Sequence, residues 1–465
     1  MKLWSRRKLL LKGKITIINA LALSLIVYPA TVLQTPVHIL EEINLLLYSF
    51  LWDGKRPKIA AKVLENSIKL GGLKMPNIFL KVKAWQFSWL TRAYRNQNSN
   101  WLLIVNDLIG RIKLTDLIYC DLNPEHQILD CVPVFYKQIL LTWYQLKHSF
   151  NNKDVVNQTL WFNKNITIEN KPIYWHEWYR NGILFVRDIH DANGDFYDQD
   201  KIEEKYSIQT NFLSILQLRQ SLPFTWREVI RNSQFPPTLL EPEIQVTANS
   251  RSIAITKLKT RQVYWMLIDV SCHIKKVTPK SIAKWKNIFP VHDNEWSNIF
   301  CLPFCTYRST KLQSFQYRLL HRVITCNHWL FKAKIKDSPN CEKCNIDDSI
   351  EHFFLKCTDV QPFWTSLNKW WNRVTKNLLQ PIVFTDQDIL LGMKGSENYV
   401  NALNFILTLS KKYIHDLKML SKQNISLLAF LVTLKQHLSY EKNICFKNDC
   451  AHSFTNNWSW LYDQL

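Results

Sequence analysis

Apolar residues recur along most of this chain at intervals of three and four, the repeat of a helix with one buried face. Val37, Leu40, Ile43, Leu47, Phe50 and Leu51 follow Thr35-Pro36, a capping threonine with proline at the first helical position, and Gly54 closes the run. Trp85 and Trp89 share one face of a further helix. Asp200 and Glu203 form a capping box for a short helix, after which Phe212, Ile215, Leu216, Arg219 and Leu222 keep helical spacing up to Pro223. Tyr399–Leu420 and Ile425–Leu438 are amphipathic stretches of the C-terminal tail. Ile183–Ile189 is strand-like, and Asn193-Gly194 beyond it is a tight-turn dipeptide. Asp191–Asp195 lacks EF-hand spacing and a closing glutamate, so it reads as a turn and not a calcium loop. The pattern predicts a mainly α-helical, multi-domain chain with minor β.

Breaks in the pattern divide it. Residues 1–100 read as helical and basic, 101–231 as mixed, 232–250 with Pro236-Pro237 and Pro242 as a linker, 251–337 as basic and helical, 338–373 as a small metal-binding module and 374–465 as helical. Ile15–Leu33 is uncharged and follows Lys2, Arg6, Arg7, Lys8, Lys12 and Lys14, the layout of a signal anchor. Thr16, Asn19, Ser24, Pro29 and Thr31 interrupt it, which favours a buried helix stopped at Pro29 over a membrane helix.

Composition narrows the function. Nine glycines in 465 residues, with no GxGxxG or GxxxxGK[ST], exclude the common phosphate-cradling loops. Nineteen tryptophans and 47% hydrophobic residues exclude wholesale disorder. Lys and Arg exceed Asp and Glu by 59 to 38, a net charge of +21. Residues 1–40 and 301–336 carry basic side chains and no acid, and 251–287 carries Asp269 alone against its bases. Clustered positive charge interleaved with aromatics suits phosphate neutralisation and base stacking, so RNA or DNA is the expected partner and a small-molecule substrate is not. Lys55, Arg56 and Lys58 form a basic loop. Arg308, Lys311, Arg318 and Arg322 fall at spacings that could share much of one helix face, with Phe315 and Leu319 on its apolar side. Lys332, Lys334 and Lys336 extend the track towards the cysteines.

Of eleven cysteines, eight are scattered and read as reduced intracellular thiols, mostly buried as small hydrophobes. That reading places the protein in the nucleus or cytoplasm. The other three give Cys341-x2-Cys344-x7-His352-x4-Cys357, three thiolates and one imidazole at spacings that can surround one Zn2+ with no open position. The predicted site is therefore structural. No catalytic set accompanies it: Asp347-Asp348 has no hydrophobic strand before it and is a poor two-metal site, and GxSxG and HExxH are absent.

Leu11-Lys12-Gly13-Lys14-Ile15-Thr16-Ile17-Ile18-Asn19 with Tyr28, Phe50-Leu51-Trp52-Asp53-Gly54-Lys55-Arg56-Pro57-Lys58-Ile59 and Gly71-Gly72-Leu73-Lys74-Met75-Pro76-Asn77 resemble the thumb region of LINE-like (non-LTR) retrotransposon reverse transcriptases. Phe196, Tyr206, Phe212, Leu216, Leu218 and Arg219 resemble that family's middle segment. Cys341, Cys344, His352 and Cys357, with Glu351 and Pro362-Phe363-Trp364, resemble its zinc-binding region. The resemblance implies binding of template RNA and target DNA. The fingers, the palm and its paired aspartates are not in this sequence, so the resemblance implies a noncatalytic remnant. The alternatives are an incomplete gene model of an active RNA-directed DNA polymerase, or an intracellular protein anchored through 15–33.

Overall fold

The computed structural model describes residues 2–120, 122, 125–147, 155–232, 244–248, 251–274, 277–376, 379–395, 397–420 and 424–465. Helix accounts for 63% and strand for 4%, so the mainly helical class holds. The chain packs as two compact units, each assembled from distant segments. One comprises Met1–Ala22, Leu45–Pro76 and Val277–Leu465; the other comprises Leu23–Asn44 and Asn77–Lys276.

In the second unit, Thr260–Ile274 packs along Ile78–Gln86, which also packs against Leu23–Val32. Tryptophans act here as core pegs whose indole N–H reaches a backbone carbonyl. Trp143 Nε1 donates to Ile118 O at 2.9 Å and Trp161 Nε1 to Ile183 O at 2.6 Å, both rings fully buried. A buried indole usually finds such an acceptor, and Trp89 Nε1 does the same to Thr31 O at 2.8 Å. The strand expected over 183–189 is instead a 3-10 turn, Val186–Ile189, because Asp188 Oδ2 accepts from the amides of Leu184 and Phe185 and curls the backbone. The short helix starts at Gln199, capped by Asp198 and not by Asp200, while Glu203 accepts from Thr210 N beyond its end. Asp191 Oδ1 accepts from Asn193 N and Asp195 N, the turn read from the sequence. Most of 232–250 lies outside the described residues, but its end, Gln245–Ala248, is a strand paired antiparallel with Arg251–Ala254.

The helix Leu11–Val32 runs through Pro29, which sits in its final turn, where a missing N–H removes one rung. It is long and apolar enough to cross a membrane, and only 22% of its apolar window is buried, with Leu25 80% and Tyr28 77% exposed. The scattered cysteines also differ from expectation. Cys120, Cys326 and Cys445 are buried, but Cys131 and Cys305 are exposed and Cys301 and Cys450 half-buried; the Cys272 side chain lies outside the described residues.

The first unit explains the sequence signatures physically. Buried Lys14 donates to Leu51 O at 3.2 Å and pairs with Asp53 Oδ1 at 2.5 Å, so the first signature holds the turn of the second. Residues 71–77 fold back along 63–67: Leu73 N and Met75 N both donate to Leu64 O, at 3.0 and 2.9 Å. The Gly71 carbonyl accepts from Tyr317 Oη at 3.1 Å and from His321 Nε2 at 2.8 Å, with Nε2 as the protonated nitrogen of a neutral ring. Burial pushes the His321 imidazole down to about 4. The unfolded ring takes a proton near pH 6.5, so this stability is fully present above pH 6.5 and is lost as pH falls towards 4. The difference is worth about 3 kcal/mol. Acid titration of the unfolding midpoint should show this slope, and His321→Gln should flatten it between pH 4 and 6.5. An unchanged slope would show that His321 is not the group responsible. Deeper in the same core, Lys411 is 1% exposed and donates to Gln316 Oε1 at 2.8 Å and Leu390 O at 3.2 Å. Burial holds its pKa well below the ordinary lysine value.

Candidate metal centre and nucleic-acid interface

The first unit also carries the four predicted ligands. Cys341 and Cys344 lie on a tight turn: Cys341 N donates to Ile346 O at 2.8 Å, and Asn345 N donates back to Cys341 O at 2.9 Å. Asn345 takes the left-handed backbone that this turn requires, at φ 54°. His352 opens a π-helical turn, His352–Lys356, closed by Cys357 N donating to His352 O at 3.0 Å. That wide turn brings a histidine and a cysteine five residues apart to one side of the backbone.

The geometry suits one ion. All four ligand atoms lie within 4.8 Å of one another. Cys357 Sγ is 4.0 Å from Cys341 Sγ and 3.9 Å from Cys344 Sγ. Tetrahedral thiolates around zinc sit about 3.8 Å apart, given a Zn–S distance of about 2.3 Å. Neither ring nitrogen of buried His352 has a hydrogen-bond partner among the described residues, which a metal bond to one of them would relieve. Burial lowers the His352 pKa, favouring the neutral ring that ligates. Hydrogen bonds from Thr358 hold the Cys344 thiol below its usual range, while burial pushes Cys357 up. Phe353, Phe354 and Cys357 join the core of the unit, and Trp364 Nε1 caps Phe354 O at 2.7 Å. The two aspartates of Asp347-Asp348 face different partners: Asp347 Oδ1 meets His328 Nδ1 at 2.6 Å, and Asp348 Oδ2 accepts from Asn327 N at 3.2 Å.

The ten predicted basic contacts divide. Arg322 is bidentate to Glu351, the Nη2–Oε2 arm being 3.1 Å, and its guanidinium lies 4.4 Å over the Trp285 ring. Burial alone would raise the Glu351 pKa, but the Arg322 hydrogen bond and charge outweigh it and hold the carboxyl below its usual range. Lys336 pairs with Glu342 at 2.9 Å, and Arg308 lies 3.8 Å from Glu441. Among the described residues no carboxylate pairs with Lys55, Arg56, Lys58, Lys311, Arg318, Lys332 or Lys334, and all but half-buried Arg318 are exposed. The expectation that Arg308, Lys311, Arg318 and Arg322 share one helix face does not hold. The helix is Thr310–Leu320, Arg308 precedes its cap Ser309, and Arg322 turns left-handed at φ 57° just past its end. Sequence reasoning also missed Trp329, whose half-buried ring lies 4.5 Å beneath the Lys58 ammonium. Only tertiary packing joins those two residues.

No protein-family model matches the chain. Over 399 residues it is 19% identical to a Xenopus laevis protein described as transposon TX1 uncharacterized 149 kDa protein. The match covers 77% of this chain and 30% of that protein, so the chain spans less than a third of the curated relative it matches. The likeness fits a transposon-derived protein.

Proposed function

We propose that this chain is a noncatalytic nucleic-acid-binding part of a LINE-like retrotransposon reverse transcriptase polyprotein, with a structural zinc ion bracing its C-terminal region. The observation that carries the reading is the set of seven basic side chains at 55–58 and 311–334, in the unit that holds the Cys3His cluster, with no carboxylate partner among the described residues. Unpaired positive charge of this density favours phosphate backbones of either RNA or DNA. In binding titrations with labelled RNA and duplex DNA, Lys55→Ala/Arg56→Ala/Lys332→Ala/Lys334→Ala should weaken both at least tenfold. Unchanged affinity in that variant would remove the reading.

A second reading rests on the relative's length. Because the match covers 30% of that protein, the chain can belong to a longer RNA-directed DNA polymerase whose palm lies upstream. An in-frame palm with paired aspartates directly 5′ of the Met1 codon would favour it. A third reading, anchoring through 15–33, draws on the exposed Leu11–Val32 helix. Recovery of the protein in the detergent-free soluble fraction would argue against it.

A further inference from the structure

The cation–π pairs of the first unit fall into two kinds. Arg322 over Trp285 is closed: the ring is fully buried and the guanidinium is held by Glu351. Lys58 over Trp329 is open: Trp329 is half-buried, Lys58 is exposed as a residue, and no carboxylate pairs with it among the described residues. Trp329 lies on the short helix Asn327–Lys332, which brings Lys332 to the next turn, and Lys334 follows. Lys58 comes from the loop after the helix Val37–Trp52, and Arg318 from the helix Thr310–Leu320. Desolvation, then the positive charges of Arg318 and Lys55, hold the Lys58 pKa below its ordinary value, so Lys58 feels a cation of its own loop and one from a distant helix. Asp347 is engaged by His328, a neighbour of Trp329 on that helix. Mutual repulsion of this kind is unfavourable in the free protein and is relieved by a polyanion.

Resting on the reading above, we infer that Trp329 is a stacking platform for a base of single-stranded nucleic acid, flanked by Lys55, Lys58 and Arg318 as phosphate contacts. A duplex hides its base faces and can use the cations alone. A single strand offers both charges and a π face, and one stacked base is worth about 1–3 kcal/mol. The Lys58 ammonium would leave the ring for a phosphate as the base arrives. Half-burial of Trp329 against the core fixes its plane at little entropic cost.

The test compares an oligothymidylate with a duplex of equal length, using the zinc-loaded full chain. Trp329→Ala should weaken the single strand about 5- to 150-fold and the duplex less than twofold, and Trp329→Phe should keep most of the affinity. A 5-iodouracil oligonucleotide should photo-crosslink at Trp329. Equal losses on both ligands, or no crosslink at Trp329, would overturn the platform while leaving general binding intact. Wild type that binds neither ligand would remove both the platform and the function it rests on. If polyglutamate displaced the single strand as well as an unlabelled oligonucleotide did, with Trp329→Ala indifferent, the face would belong to an acidic protein partner.

Discussion

Replacing Cys357 with serine should strip the metal from the chain and destabilise its unit by at least about 3 kcal/mol. That is a modest share of the roughly 10–16 kcal/mol by which zinc stabilises isolated zinc-finger peptides. Cys357 is 1% exposed and lies 3.9–4.0 Å from both other sulfurs, so a serine hydroxyl cannot replace it as a soft ligand. Loss of the ion would also leave the His352 nitrogens buried without a partner, which costs a further 1–3 kcal/mol or so. The damage should spread, because Phe353, Phe354 and Cys357 belong to the same apolar core as Leu319, Trp371 and Ile406. Hydrogen exchange at the amides of Asn345 and Cys357 should lose protection first, since both close the ligand turns. A strong chelator should reproduce the effect in wild type. Cys305→Ser, at an exposed thiol, should move stability by no more than about 0.5 kcal/mol. Equal effects at Cys357 and Cys305 would show that the cluster holds no stabilising metal.

Gly72→Ala should be nearly as damaging for a wholly different reason. A Cβ at Gly72 would stand 2.0 Å from Asn66 O, 2.4 Å from Asn66 C and 2.7 Å from Val63 O. All three are backbone atoms, so no rotamer change relieves the clash. The returning segment would have to lift off 63–67, breaking the bonds from Leu73 N and Met75 N to Leu64 O. Overpacking costs about 1–3 kcal/mol where neighbours can shift, and here the cost should exceed that range. The unfolding midpoint of this unit should fall by more than roughly 6–12 °C, the shift that about 3 kcal/mol would give at about 2–4 °C per kcal/mol. Gly54 supplies the contrast: nothing lies within 4 Å of the place a Cβ would take there, and only its φ of +69° resists a side chain. Gly54→Ala should therefore cost only about 1 kcal/mol. A comparable drop in both variants would mean that conformational preference, and not close approach, accounts for the Gly71-Gly72 signature.

The sequence made some of this legible and hid the rest for identifiable reasons. Helical class followed from local spacing, because apolar repeats such as Tyr399–Leu420 report burial of one face directly, and Asn398–Met419 is a helix. The Cys3His cluster was legible because its ligands are close in sequence and their chemistry is distinctive. The basic residues were harder. Charge is visible in a sequence, but the partner that cancels it is not: Glu351 lies 29 positions from Arg322, and Glu441 more than 130 from Arg308. Helical spacing also misled across Ser309 and Arg322, where a cap and a left-handed residue bound the helix. Pro29 was read as a stop, though a proline in a last turn removes only one rung. The roles of His321 and Tyr317 depend on one carbonyl, Gly71 O, about 250 residues away, and no local pattern could announce them.

On the proposed function, the cationic side chains of the first unit hold a nucleic-acid backbone. The most direct measurement is the affinity of the zinc-loaded chain for single-stranded RNA and DNA between 50 and 200 mM salt. Seven phosphate contacts to a single strand would release about five counterions, and log affinity should fall linearly with log salt, by about 10³-fold across that range. A flat dependence, or no binding at the lowest salt, would contradict the claim.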